Sequence, residues 1–65
     1  MLTRDEIKEI RTRRDWTQRE LADALFVDPR SVARWEAGDS FPHPGVQRRL
    51  RDLLDNARKR DKATA

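Results

Sequence analysis

The stretch that most constrains the fold lies in the middle of the chain, where start signals for two short helices follow each other closely. Thr17 and Glu20 have the spacing of a capping box, in which each side chain accepts a hydrogen bond from the backbone N–H of the other residue. Asp28 before Pro29 is a typical second start, because proline needs no hydrogen bond at the first helical position. Gly38 can adopt the positive φ that ends a helix. The predicted helices run from about Gln18 to Leu25 and from about Pro29 to Ala37.

The second of these helices has two different faces when its residues are spaced at about 100° each. Val32 and Trp35 share one side, and we expect them to face the core. The opposite side carries two arginines and two small residues, which are Arg30, Arg34, Ala33 and Ala37. Arginine can read guanine through O6 and N7, and alanine can contact a thymine methyl group. The wheel alone also allows an ordinary solvated face, but the two capped helices and the small residues beside the arginines favour a helix that enters the major groove.

Composition limits the chain to one small domain, because 65 residues are too few for two. Charged residues make up 42% and hydrophobic residues 35%, yet the apolar residues recur at helical spacing, which argues against disorder. The net charge of +3 does not by itself indicate nucleic-acid binding. No apolar run is long enough to cross a membrane.

Enzymatic function is not expected. The chain has no cysteine, one histidine, no glycine-rich phosphate loop and no carboxylates at metal-ligand spacing. We therefore predict no catalytic residue, no metal site and no cofactor. RNA binding is not favoured either, since the four aromatic residues look like core or turn residues and not like a stacking platform.

Two further helices flank this central pair. Thr3 and Glu6 form another capping box, which predicts a first helix from residue 3 to about 13 with Ile7 and Ile10 facing inward. A fourth helix is expected from near Pro44 to about Arg58. Its apolar face consists of Val46, Leu50, Leu53 and Leu54.

The remaining segments are a loop and a tail. In the loop over residues 38–43, we expect Phe41 to fill the core from below. Residues 59–65 have no apolar anchor and should form a frayed charged tail. The expected organisation is a DNA-binding domain over residues 1–58, followed by this tail.

The segments TQRELADAL, VDPRSV and WEAG resemble the XRE or Cro/CI-type helix-turn-helix of phage and bacterial repressors, and the resemblance covers roughly residues 3–54. It implies an all-α, lambda-repressor-like fold, a compact four- to five-helix bundle. It also implies a transcriptional regulator, most simply a repressor, that binds specific sequences in double-stranded DNA. The alternative is an antitoxin that binds a toxin protein and also regulates its own operon.

The resemblance further implies a cytoplasmic protein of prokaryotic or phage origin. Its family usually binds inverted-repeat operators as dimers. Here we expect a weak homodimer through the fourth helix or the tail, or a dimer that forms only on DNA.

Individual site residues follow from position and from the resemblance. By resemblance, Arg11 pairs with Glu36, and Gln18 contacts the DNA backbone. Arg19 lies at the positive end of the second helix, a suitable place for phosphate, and Ser40 lies in the loop after the third. The expected base contacts are Arg30, Ser31, Ala33 and Arg34, and the expected phosphate contacts are Gln18, Arg19 and Ser40.

One position departs from the family pattern. Phe26 occupies the turn between the second and third helices, where the family usually has a glycine with positive φ. Either the turn is rebuilt locally, or Phe26 accepts backbone strain in return for an aromatic contact. We expect the phenylalanine to be partly buried.

Overall fold

A computed structural model describes residues 2–64 of the chain, with side chains through Lys59. This part of the chain forms four helices and no strand, which confirms the expected all-α bundle. None of the described helices is both long enough and apolar enough to span a membrane. The helices are α1 (Arg4–Arg14), α2 (Gln18–Leu25), α3 (Pro29–Ala37) and α4 (Pro44–Thr64).

The helix starts form as the sequence predicts. The Thr17 hydroxyl accepts from the Glu20 N–H at 3.1 Å, and the Glu20 carboxylate accepts from the Thr17 N–H at 3.0 Å. Thr3 and Glu6 form the same reciprocal pair at the start of α1. The Asp28 carboxylate accepts from the backbone N–H of Arg30 at 2.8 Å. Each cap satisfies backbone donors that have no partner within the helix, so the boundaries of α2 and α3 are fixed by local contacts.

The first three helices each end at a residue in the left-handed region. Gly38 adopts φ 85°, whereas Asp15 and Phe26 adopt φ 57° and 58°. Such a φ costs a residue other than glycine roughly 1–2 kcal/mol. The turn at Phe26 therefore keeps the geometry that normally requires glycine. The expected partial burial of Phe26 is wrong, because the residue is 86% exposed.

The core lies between all four helices, with α4 packed mainly on α1 and α2 packed mainly on α3. The predicted inward faces of α1, α3 and α4 are confirmed, except that Leu53 is only partly buried. The buried apolar residues are Leu2, Ile7, Ile10, Leu21, Ala22, Leu25, Val32, Trp35, Val46, Leu50, Leu54 and Ala57.

The loop after α3 differs from expectation. Phe41 does not fill the core, because 63% of it is exposed, while the neighbouring Pro42 is buried. The reason is a clamp formed by Gln47. Its amide nitrogen donates to the Pro42 carbonyl at 3.0 Å, and its amide oxygen accepts from the Leu2 N–H at 3.0 Å. Holding Pro42 inward leaves its neighbour outside.

The end of α4 also differs. The helix continues to Thr64, past the expected end near Arg58. Residues 59–64 contain neither glycine nor proline, so no local signal stops the helix, and lysine, arginine and alanine all favour it. Ala65 lies outside the described residues. Fraying of this segment in solution stays a prediction.

Candidate DNA interface

The α2–turn–α3 unit presents one side of α3 to the core and the other to solvent. Val32 is fully buried and Trp35 is 7% exposed, so these two side chains fix how α3 is rotated about its own axis. The short turn and the caps at Thr17 and Asp28 set the angle between the two helices. The orientation of the outer face of α3 is therefore set by packing on the buried side of the helix, and not by contacts that the outer face makes itself.

That outer face carries the arginines that the wheel places there. Arg30 and Arg34 are exposed, and no acidic group among the described side chains pairs with either of them. Ala33 lies beside them and is half-buried, and Ala37 continues the face one turn further on. Ser31 sits at the edge of this face and is half-buried. The result is a face with two long unpaired cations and small side chains beside them.

The residues expected at phosphate lie at both ends of the unit. Gln18 and Arg19 begin α2, and Ser40 lies two residues after Gly38, which ends α3. Arg19 is exposed, whereas Gln18 and Ser40 are half-buried. The Gln18 amide nitrogen donates to Glu36 Oε1 at 3.3 Å, so the start of α2 lies beside the last turn of α3.

An ion pair ties α1 to the last turn of α3. Arg11 Nε lies 2.6 Å from Glu36 Oε2, and Arg11 Nη2 lies 2.7 Å from Oε1. The Glu36 side chain is only 3% exposed, so its charge is compensated by this two-pronged contact. The hydrogen bonds from Arg11 to Glu36 raise the pKa of Arg11 above its ordinary value. Arg11 also donates to the Trp16 carbonyl at 3.3 Å.

Together these contacts form a three-member network in which Glu36 accepts from both Arg11 and Gln18. The Arg11–Glu36 pair is the one that the family resemblance implies. The additional hydrogen bond from Gln18 is not predicted from the sequence, because a contact between residues 18 positions apart leaves no local signal. The network joins α1, α2 and α3 at one end of the candidate interface.

A second contact that sequence reasoning missed lies in the α1–α2 connection. The Arg14 guanidinium lies 4.9 Å from the centre of the Trp16 ring. This is the stacked geometry of a cation–π contact. It orders the segment just before the Thr17 cap, and so contributes to the position of the start of α2.

Comparison with known proteins agrees with this geometry. A family model described as helix-turn-helix matches residues 7–55, which is most of the chain and includes α2, the turn and α3. Searches of curated proteins and of solved structures found no match.

Proposed function

The chain belongs to the XRE-type helix-turn-helix family of DNA-binding regulatory domains, and from this membership we propose that it is a sequence-specific repressor. In this proposal α3 enters the major groove of double-stranded DNA and α2 supports it. The residues of α3 that face outward contact base edges, and residues at the start of α2 and after α3 contact the backbone.

The observation that carries the proposal is the pair of exposed, unpaired arginines on α3. Arg30 and Arg34 lie one helical turn apart, on the face opposite the buried Val32 and Trp35. An arginine fork donates two parallel hydrogen bonds to guanine O6 and N7, and this pairing requires the guanidinium to be free of other partners. Because both cations are free and share one face, they can address neighbouring base pairs.

The small residues support close approach to the bases. Ala33 lies beside the two arginines, and its methyl group suits contact with a thymine methyl. Ser31 at the edge of the face offers a hydroxyl that can donate or accept. We assign base contacts to Arg30, Ser31, Ala33 and Arg34.

Backbone contacts are assigned to Gln18, Arg19 and Ser40. The Gln18 amide donates one N–H to Glu36 and keeps a second N–H for a phosphate oxygen. In this arrangement Glu36 and Arg11 orient Gln18. The contact between Gln18 and phosphate does not depend on the base sequence, but it fixes the position of α3 on the DNA. Arg19 adds an exposed charge next to it.

We further propose that the operator is an inverted repeat bound by two copies of the chain. Two-fold related helix-turn-helix units place their reading helices in successive major grooves, about 10 base pairs apart. The two copies form a weak homodimer or meet on the DNA. A repressor needs only this DNA surface, whereas the antitoxin alternative also needs a toxin partner, so the repressor is the function proposed.

Random-site selection with the purified protein tests the proposal. A pool of randomised duplexes is enriched through several rounds of binding, and the selected site is compared with a scrambled duplex of the same length. We expect a short motif that contains guanines and repeats with inverted symmetry. Equal binding to selected and scrambled duplexes would contradict sequence-specific recognition.

A further inference from the structure

Phe26 is unfavourable in this chain for two independent reasons. Its φ of 58° is a conformation that glycine adopts without strain and phenylalanine does not. The residue is also 86% exposed, so its side chain gains almost nothing from burial within the chain. A strained residue whose side chain packs against little of its own chain indicates a contact with another molecule.

The surface beside Phe26 is a shallow groove between α2 and α4. Its volume is about 280 Å³. Its apolar part includes the partly buried Leu53, and its two charged residues are Arg49 and Asp52. The Arg49 guanidinium lies 5.7 Å from the centre of the Phe26 ring, so ring and groove form one continuous patch. We call this patch the Phe26 face; it consists of Phe26, Ala24, Leu25, Arg49, Asp52 and Leu53.

The contact with Arg49 does not account for the exposed ring. Its distance lies near the outer limit of roughly 6 Å for a cation–π interaction, and it covers little of the ring. The two charged side chains of the Phe26 face, Arg49 and Asp52, also lack an ion-pair partner among the described side chains.

We propose that the Phe26 face binds a second copy of this chain about a two-fold axis. Arg49 and Asp52 have opposite charges and lie three residues apart on α4, so both face the same groove. A two-fold axis places Arg49 of each copy opposite Asp52 of the other, because every contact in such an interface occurs twice. Phe26 of each copy then packs against the apolar part of the other copy's groove.

The other exposed phenylalanine does not offer such a surface. Phe41 lines a separate cavity of about 450 Å³, next to Leu2 and Arg4. Arg4 is the only charged residue of that lining, so two copies related by a two-fold axis would bring like charges together. Self-complementary charge therefore favours the Phe26 face.

This inference locates the proposed homodimer, but it is tested without DNA, so its failure would leave the proposed DNA recognition intact. Sedimentation equilibrium over a wide range of protein concentration measures the mass of the wild-type chain. We expect a concentration-dependent rise from monomer to dimer. Phe26→Gly should weaken the association by roughly tenfold or more, as removal of a central interface aromatic does. Phe41→Ala is the matched control and should leave the association unchanged.

A charge-reversal experiment tests the geometry of the contact. Arg49→Asp makes the groove wholly acidic, and Asp52→Arg makes it wholly basic, so each variant alone should stay monomeric. An equimolar mixture should associate, because every crossed pair is then between opposite charges. Circular dichroism checks that each variant is folded.

Three results would overturn the proposal. One is a wild-type chain that stays monomeric at every concentration, which would also be the outcome if the face bound a different protein. Another is a Phe41→Ala variant that dissociates as much as Phe26→Gly. The last is a mixture of the two charge-reversed variants that remains monomeric.

Discussion

At the scale of single residues, Phe26 shows how the sequence departs from its family without changing the fold. The turn between α2 and α3 has the same left-handed geometry that a glycine would give it, at φ 58°. The phenylalanine adapts to the turn, because the caps at Thr17 and Asp28 and the burial of Val32 hold both helices in place. Of the two possibilities that the sequence left open, the strained turn is the one present.

The first prediction compares two substitutions at Phe26. Both Phe26→Gly and Phe26→Ala remove the ring, but only glycine relieves the positive φ. We expect the glycine variant to be more stable than the alanine variant by about 1 kcal/mol, after allowance for its freer unfolded chain. Against the wild type, Phe26→Gly should be neutral or slightly stabilising at concentrations where the chain is monomeric.

Urea denaturation followed by circular dichroism measures all three free energies of unfolding. Equal stability of the glycine and alanine variants would mean that the turn has no positive φ at this position. A loss in the glycine variant that disappears on dilution would instead belong to the contact between two copies.

At the scale of elements, the Arg11–Glu36 pair determines how α1 holds the end of α3. Removing Arg11 alone leaves a carboxylate that is 3% exposed without its main partner, and such a loss costs about 3–5 kcal/mol. Gln18 still donates to that carboxylate, so we expect a cost near the lower limit for Arg11→Ala. The double variant Arg11→Met, Glu36→Leu should be more stable than Arg11→Ala, because it removes the buried charge as well.

Thermal and urea unfolding of the single and double variants measure these differences. If Arg11→Ala and the double variant lose the same stability, the cost comes from lost packing and not from an unpaired charge.

A second link between elements predicts how stability depends on pH. Glu9 on α1 accepts from Arg58 on α4 at 2.8 Å and from Arg13 at 2.7 Å. These hydrogen bonds, chiefly the one from Arg58, lower the pKa of Glu9 from its ordinary 4.5 to about 2. Because the folded pKa is the lower one, the link stabilises the fold fully above the unfolded pKa of 4.5. Its contribution is lost as the pH falls from there towards 2.

The measurement compares the wild type with Glu9→Gln across this range of pH. We expect the wild type to be more stable near neutral pH and the difference to shrink as the pH falls from 4.5 to about 2. Asp23→Asn removes an exposed carboxylate of α2 and serves as the control, which should show no such trend. A difference between wild type and Glu9→Gln that is independent of pH would contradict the assigned link.

At the scale of the whole molecule, stability depends on a small core in which Trp35 is the largest buried side chain of α3. Truncating a buried aromatic residue to alanine costs about 3–5 kcal/mol, which is comparable with the entire stability of a domain this small. We therefore expect Trp35→Ala to be largely unfolded by circular dichroism at room temperature. Phe41→Ala, which removes an exposed aromatic residue, should change stability by less than about 0.5 kcal/mol. Unchanged helix content in Trp35→Ala would contradict the assigned core.

The features that sequence alone predicted are those with local causes. The boundaries of α2 and α3 depend on caps at Thr17, Asp28 and Gly38, whose partners lie a few residues away. The buried faces of the helices depend on spacing within each element. The positions of Arg30 and Arg34 on the outer face follow from the same spacing once Val32 and Trp35 are known to be buried.

The features that sequence missed depend on contacts between distant residues or on a missing signal. The exposure of Phe41 follows from the Gln47 clamp, which joins the start of α4 to Leu2, 45 residues away. Gln18 meets Glu36 only because α2 and α3 fold against each other. The sequence contains no stop signal near the end of α4. The expected end near Arg58, placed where the apolar face ends, was therefore too early.

One comparison tests directly whether α3 reads base sequence through its outer arginines. Random-site selection is repeated with Arg34→Ala and with Arg51→Ala, which removes the same charge from an exposed position on α4. We expect Arg34→Ala to lose about 1–3 kcal/mol of specific binding and to relax the preference at one base position of the motif. Arg51→Ala should select the wild-type motif. If both variants select that motif with equal affinity, Arg34 is a solvated charge and α3 does not read DNA through this face.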